Sequence, residues 1–119
     1  MDALDLLRGG ELNAAVTSAL VGIHNQFLGR GPTTASTFHH ENVVVTLMHG
    51  VLTPAEQSLA DTPQADAVAN MRHAFQELME NDFRAAVERL TGKRVLTFIS
   101  GNSVRADVSC ETFILDGNL

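Results

Sequence analysis

The stretch Asn42–Ala60, NVVVTLMHGVLTPAEQSLA, decides how the chain is organised. Its first half, Val43-Val44-Val45-Thr46-Leu47-Met48, is a β-type run with apolar residues on both alternating faces. That is the pattern of a central strand covered on both sides. Gly50 ends the run. Two residues later Thr53-Pro54-Ala55-Glu56 has the composition of a helix start. Thr53 accepts from the free N–H groups, Pro54 suits the first helical position, and Glu56 stands where a capping box places its carboxylate.

Upstream, residues from about Gly10 to Leu28 read as an amphipathic helix with Leu12, Val16, Leu20, Ile23 and Phe27 on one stripe. Gly29 is its C-cap, and Arg30 complements the negative end of the helix dipole. Gly31 and Pro32 complete the turn. Residues 35–40 and 42–48 follow as two strands about a tight turn at Glu41-Asn42.

Downstream, a short helix from Pro54 to about Leu59 precedes a second start signal, Asp61-Thr62-Pro63. The long helix it opens carries Val68, Met71, Phe75, Leu78, Ala86 and Leu90, widened by Met79, Phe83 and Val87. Unbroken to Leu90 it runs about 40 Å at 1.5 Å per residue. That exceeds a sphere of twice a ~14 Å radius of gyration. The helix therefore bends near Asn81-Asp82 or packs against a second copy, and the second is favoured. Strand Arg94–Ser100, a loop Gly101–Asp107 and strand Val108–Leu115 close the sequence.

The order α-β-β-α-α-β-β gives an α+β fold, a mainly antiparallel four-stranded sheet with helices packed on one face and the long helix near a dimer interface. A helix–glycine–hairpin pattern occurs twice, at Leu28-Gly29 and at Thr91-Gly92. It is weak as a sequence repeat, and two ordinary helix–hairpin units account for it better than duplication does.

The 119 residues make one domain, 1–119; 45% are hydrophobic, and the only aromatics are six Phe, which suits an aliphatic core. A net charge of -6, with Arg8, Arg30, Arg72, Arg84, Arg89, Lys93, Arg94 and Arg105 scattered, argues against binding nucleic acid or an anionic membrane. The single Cys110 forms no intrachain disulfide and fits a reducing compartment. The start Met1-Asp2-Ala3-Leu4-Asp5 carries acids where a signal peptide is basic. The apolar runs are far shorter than the ~20 residues of a membrane-spanning helix. The expectation is a cytoplasmic protein.

The chemistry-bearing residues are few. His39 and His40 point to opposite faces of one strand, and His49 lies roughly 20 Å from His40 along the hairpin, so no metal site is expected. His24 and His73 add no convergent set. Cys110, alternating with Val108, Thr112 and Ile114, reads as a buried inert thiol. Gly29-Arg30-Gly31-Pro32 follows a helix rather than preceding one, so it is a cap and turn, with Arg30 free to meet a carboxylate or bicarbonate. The helix start at Thr53 and Glu56, directly after the central strand, is the better anion site. Glu77, Glu80, Asp82 and Glu88 form a solvated helix face. No Gly-X-Ser-X-Gly, Walker loop or dinucleotide fingerprint is present.

Several of these strings resemble the small bacterial MpsC-like proteins. They are Phe27-Leu28-Gly29-Arg30-Gly31-Pro32, Val43–Met48, Gly50-Val51-Leu52-Thr53-Pro54-Ala55-Glu56, Arg72-His73-Ala74-Phe75-Gln76, Ala85-Ala86-Val87-Glu88, Leu90-Thr91-Gly92, Val95–Ser100 and Glu111–Leu115. The resemblance covers about residues 14–116 and departs from the family pattern in the loop Gly101–Asp107. It implies a bacterial component of a membrane-potential-generating system linked to cation and inorganic-carbon transport. It brings no catalytic residues.

The resulting expectation is a non-catalytic accessory or regulatory protein without cofactor. It forms a homodimer and contacts a membrane transport partner, with Met71, Phe75, Met79 and Phe83 on the contact face. The alternative is a small-anion or metabolite sensor using Arg30, Thr53, Glu56 and Asn102. Gly29, Gly31, Pro32, Pro54 and Gly92 are structural.

Overall fold

The first helix, α1 (Gly9–Leu28), ends where Gly29 turns left-handed (φ 74) and donates its N–H to the Asn25 carbonyl. Leu12, Val16, Leu20 and His24 form its buried stripe, while Phe27 lies at the surface. The structure is a computed structural model describing residues 7–119, so the acidic start Met1–Asp5 lies outside the described residues. A hairpin follows, β1 (Thr34–His40) and β2 (Val43–His49), about the two-residue turn Glu41-Asn42.

Gly50 (φ 68) leads into α2 (Pro54–Gln57), a single turn closed by the expected capping box. Its turns run on to α3 (Ala65–Thr91), which starts after Pro63 and passes unbroken through Asn81 and Asp82. The length that suggested a bend fits because the molecule is elongated, 51 × 23 × 21 Å. Gly92 (φ 71) caps α3 as Gly29 caps α1, and β3 (Val95–Ser103) and β4 (Val108–Leu115) form the second hairpin. β3 runs three residues further than Ser100, so Asn102 sits in a strand and the loop is shorter than expected.

The sheet order is β1-β2-β4-β3, antiparallel throughout, with α1 and α3 on one face. Cross-strand pairing fixes which side chains share a face. The helix-facing rows are Ala35–Met48–Ser109–Asn102, Thr37–Thr46–Glu111–Ser100 and His39–Val44–Phe113–Phe98. Val44, Met48, Phe113 and Leu115 are fully buried there against Leu20, Met79, Phe83 and Val87. Phe98 bridges Phe83 and Phe113 at 6.0 and 5.1 Å.

Among the described residues no helix lies on the opposite face, which corrects the expectation of a β2 covered on both sides. Val43, Val45 and Leu47 are only half-buried. Cys110 is also half-buried on that face, not buried.

The helical stripe of α3 is likewise rotated from the expected one. Met71 and Leu78 are 43% and 64% exposed, while Arg72 and Gln76 are buried with Val68, Met79 and Phe83. A polar side chain can occupy a core-facing helix position when most of the donors it buries find acceptors, and Arg72 and Gln76 each find several.

The two halves correspond. Counted from their cap glycines, Leu12, Val16 and Leu20 take the places of Phe75, Met79 and Phe83. Asn13 and His39 likewise match Gln76 and Asn102, and both pairs are hydrogen-bonded: His39 Nδ1 to Asn13 Oδ1 at 2.7 Å, Asn102 Nδ2 to Gln76 Oε1 at 2.7 Å. The second strands pair through Thr46 and Glu111, so an approximate two-fold axis passes between those residues. A hydrogen-bonded polar pair at the same place in both halves, though of different residues, favours duplication over coincidence.

A Cβ at Gly50 would lie 2.1 Å from Thr33 Oγ1, on a left-handed backbone. Gly50→Ala is expected to cost about 2–4 kcal/mol in urea unfolding. Gly29→Asn, where nothing lies within 4 Å of the added Cβ, is expected to cost under about 1 kcal/mol.

Candidate functional site

Arg72 projects from α3 into the segment that follows β2. Its Nε donates to Glu56 Oε2 at 3.0 Å, and its Nη2 donates to Glu56 Oε1 and to the Val51 carbonyl. Glu56 is also the capping residue of α2. Its Oε1 accepts from the Thr53 N–H at 2.9 Å, while Thr53 Oγ1 accepts from the Glu56 N–H. One carboxylate thus closes a helix start and neutralises a buried cation. Burial alone would raise the Glu56 carboxyl, but the Arg72 hydrogen bonds and charge, with the Thr53 N–H, hold it below its usual value.

The same segment is gripped from the second hairpin. Asp107, left-handed at φ 55, accepts from the Val51 and Leu52 N–H groups through Oδ1 at 2.8 and 2.9 Å. Its carbonyl accepts from the Gly50 N–H at 3.0 Å. A short polar residue tolerates the left-handed region when its side chain bonds nearby backbone.

Between the end of α1, the α2 start and α3 lies a cavity of about 270 Å³ lined by Phe27, Leu28, Arg30, Thr53, Glu56, Met71, Arg72 and Phe75. Arg30, Thr53 and Glu56, expected as an anion site, therefore share one wall system. Asn102 does not reach it. It borders a void of about 10 Å³ behind Arg72, with His24, Gln76 and Ser109, room for about one water.

Arg72 Nη1 is buried without a hydrogen-bond partner among the described residues. The Arg30 guanidinium takes part in no ion pair or side-chain hydrogen bond there; its carbonyl meets His24 Nδ1 at 3.0 Å. Burial lowers the His24 pKa, against that carbonyl. Met71 and Phe75 line the cavity, but Met79 and Phe83 are only 2% and 0% exposed, so half of the expected contact face belongs to the core.

Behind the void, Gln76 Nε2 donates to Glu111 Oε1 at 3.0 Å and Ser109 Oγ donates to the same oxygen at 2.9 Å. Among the described residues Glu111 Oε2 has no hydrogen-bond partner within ordinary distance, and Ser100 stands across from it on β3. Burial raises the Glu111 pKa against these hydrogen bonds, favouring the neutral acid.

Among the described residues no three His, Cys, Asp or Glu converge to hold a metal. His40 lies on the open face beside Glu41, and His39 on the other with Asn13.

Arg72 and His24 were not singled out as site residues from sequence. The signal for Arg72 lay in the period Val68, Arg72, Gln76, Met79, Phe83, which is unbroken once polar residues are admitted to it. His24 follows Leu20 in the same way.

A family model described as "Na+-translocating membrane potential-generating system (MpsC)" matches residues 8–117. The chain is 23% identical over 96 residues to "Uncharacterized protein YrhF" of Bacillus subtilis (strain 168), covering 79% of each. No solved structure matches it.

Arg72→Met leaves Glu56 buried and unpaired and is expected to lose about 3–5 kcal/mol. The double variant with Glu56→Gln is expected to lose less than the summed single losses, read by a double-mutant cycle in denaturant. Glu111 contributes stability that is full below its unfolded value of 4.5 and is lost as pH rises through its raised folded pKa. Glu111→Gln is therefore expected to match or exceed the parent stability at pH 8, with the difference closing by pH 4.5. His24 and Glu56 act in the opposite sense, their contributions being lost as pH falls.

Proposed function

Because the chain belongs to the MpsC family, whose description names a Na+-translocating membrane potential-generating system, we propose that it is a non-catalytic accessory or regulatory protein of membrane cation or inorganic-carbon transport. It acts in the cytoplasm through protein–protein contact, as a homodimer. Among the described residues no helix is long and apolar enough to cross a membrane, so in this reading ions pass through a partner.

The observation that carries the reading is the open sheet face. Its rows are Thr34–His49–Val108–Ser103, Ser36–Leu47–Cys110–Gly101, Phe38–Val45–Thr112–Ile99 and His40–Val43–Ile114–Thr97. None of these residues is Asp, Glu, Lys or Arg, in a chain of 14 acidic and 8 basic residues. Phe38 and Ile99 are 52% and 59% exposed, as is Leu96 (59%) at the adjoining bulge. An uncharged face with large apolar side chains left exposed is what an interface presents.

The occupant proposed is a second copy of the chain. The copies each carry a net charge of -6 and repel, but here they meet without apposing fixed charges. Four strands about 4.8 Å apart and about seven residues long give roughly 450 Å² in projection. Side-chain relief brings the accessible area towards the ~800 Å² per partner of an ordinary stable interface. Two such sheets stack about 10 Å apart. The contact thereby moves from α3, where Met79 and Phe83 are core, to the sheet.

A second reading, a small-anion sensor, is favoured by the cavity that Arg30, Thr53, Glu56 and Arg72 line together.

Sedimentation equilibrium is expected to give a dimer. Ile99→Lys, at an exposed position, is expected to raise the dimer dissociation constant at least ~10-fold with unchanged circular dichroism. A monomer at every concentration would remove the dimer from this reading.

A further inference from the structure

We propose that the cavity between α1, α2 and α3 is a binding site for an organic monocarboxylate with an apolar body of about six to ten carbons. The inference rests on the sensor reading and names its ligand class.

Charge sets the head group. The cavity holds two guanidinium groups, Arg30 and Arg72, and one carboxylate, Glu56. Both Glu56 oxygens are already engaged by Arg72. Arg72 Nη1, though unpaired among the described residues, is buried, so what remains for a ligand to bond is the Arg30 guanidinium, with Arg72 adding its charge behind it. The net surplus is a single positive charge, which suits a monoanion. A dianion such as phosphate adds a second charge that meets Glu56 across a partly desolvated space, where like charges repel strongly. The C-terminal end of α1, at Phe27 and Leu28, opposes any anion with about half an elementary charge. A full positive charge on Arg30 outweighs it. Planar guanidinium donors match the two oxygens of a carboxylate.

The walls set the body. Phe27, Leu28, Met71 and Phe75 face the cavity. Phe27 and Met71 remain 37% and 43% exposed, apolar area that a hydrocarbon body would cover. A dry cavity of ~150 Å³ accepts a benzene ring. The ~270 Å³ here accommodates a ring or short chain with its carboxylate. An inorganic anion would meet the two arginines and leave the apolar wall bare.

The site has no equivalent in the first half. Counted from the cap glycines, the residue of α1 that corresponds to Arg72 is Gly9. The segment Val51–Gln64 that supplies Thr53 and Glu56 also occurs once, between the halves. The cavity is therefore an addition to the duplicated frame rather than a by-product of it.

The test is isothermal titration calorimetry of the full chain with octanoate and phenylacetate, beside bicarbonate, phosphate and chloride. Saturable binding of octanoate or phenylacetate at one site per chain, at least 10-fold tighter than any inorganic ion, is the expected result. Arg30→Gln keeps the recorded hydrogen bond, which uses the Arg30 backbone, and is expected to weaken the carboxylates at least 10-fold with an unchanged unfolding midpoint. Met71→Glu, on the exposed rim, is expected to weaken them similarly by setting a competing carboxylate beside Arg30 in the same cavity. Tighter binding of an inorganic anion, abolished by Arg30→Gln, would overturn the carboxylate assignment and leave the sensor reading. No saturable binding of any of the five would overturn both. Carboxylate binding indifferent to Arg30→Gln and Met71→Glu would place the ligand elsewhere and overturn the assignment to this cavity.

Discussion

The buried Arg72 guanidinium is the interaction on which the arrangement of the molecule depends. A four-residue helix such as α2 has no stability of its own, because it fixes backbone for few hydrogen bonds. It exists because Glu56 is held on one side by the Thr53 N–H and on the other by Arg72. Arg72 also accepts responsibility for the Val51 carbonyl, a group that would otherwise be buried unpaired. From the far side Asp107 satisfies the Val51 and Leu52 N–H groups. The segment after β2 is therefore tied to α3 and to the second hairpin together, and the two halves are joined through it.

That joint explains why a duplicated frame has an asymmetric site. The polar pairs Asn13–His39 and Gln76–Asn102 occupy equivalent places, and Thr37 and Ser100 flank the central Thr46 and Glu111. In the first half the row is closed by hydroxyls: Thr17 donates to Thr37, and Thr37 and Thr46 share a hydrogen bond of 2.7 Å. In the second half the larger Gln76 reaches Ser109 and Glu111, and the carboxyl is taken in with its pKa raised by burial. The chain continues past the first hairpin into α2, and with Arg72 this continuation builds the cavity on one side only.

The open sheet face shows the same economy of charge. Helices cover one face and no fixed charge stands on the other, although 18% of the chain is charged. Among the described residues the acidic and basic side chains lie on helices and loops, apart from Glu111 on the covered face of β4, as with Glu80 and Arg84 paired at 2.7 Å on α3. An antiparallel sheet exposed to water on one side ordinarily alternates apolar and polar positions. β2 does not alternate, and its Val43, Val45 and Leu47 face outward at half burial.

The sequence by itself determined the elements and their ends. Left-handed backbone at Gly29 and Gly92, the Thr53–Glu56 box and the Glu41-Asn42 turn are local, and each is specified by residues within a few positions of it. The family resemblance was legible for the same reason, since its strings are local. The tertiary structure alone decided which apolar face met which. Met71 and Leu78 satisfy the helical period as well as Arg72 and Gln76 do, and only partners far along the chain, Glu56, Val51, Ser109 and Glu111, made the polar pair the buried one. The doubly apolar β2 could not declare whether its second face awaits a helix or another sheet, because hydrophobicity has no direction. Arg30, Thr53 and Glu56 were readable as anion-binding residues, but their common cavity required Arg72, whose role depends on a charge that folding brings from another element.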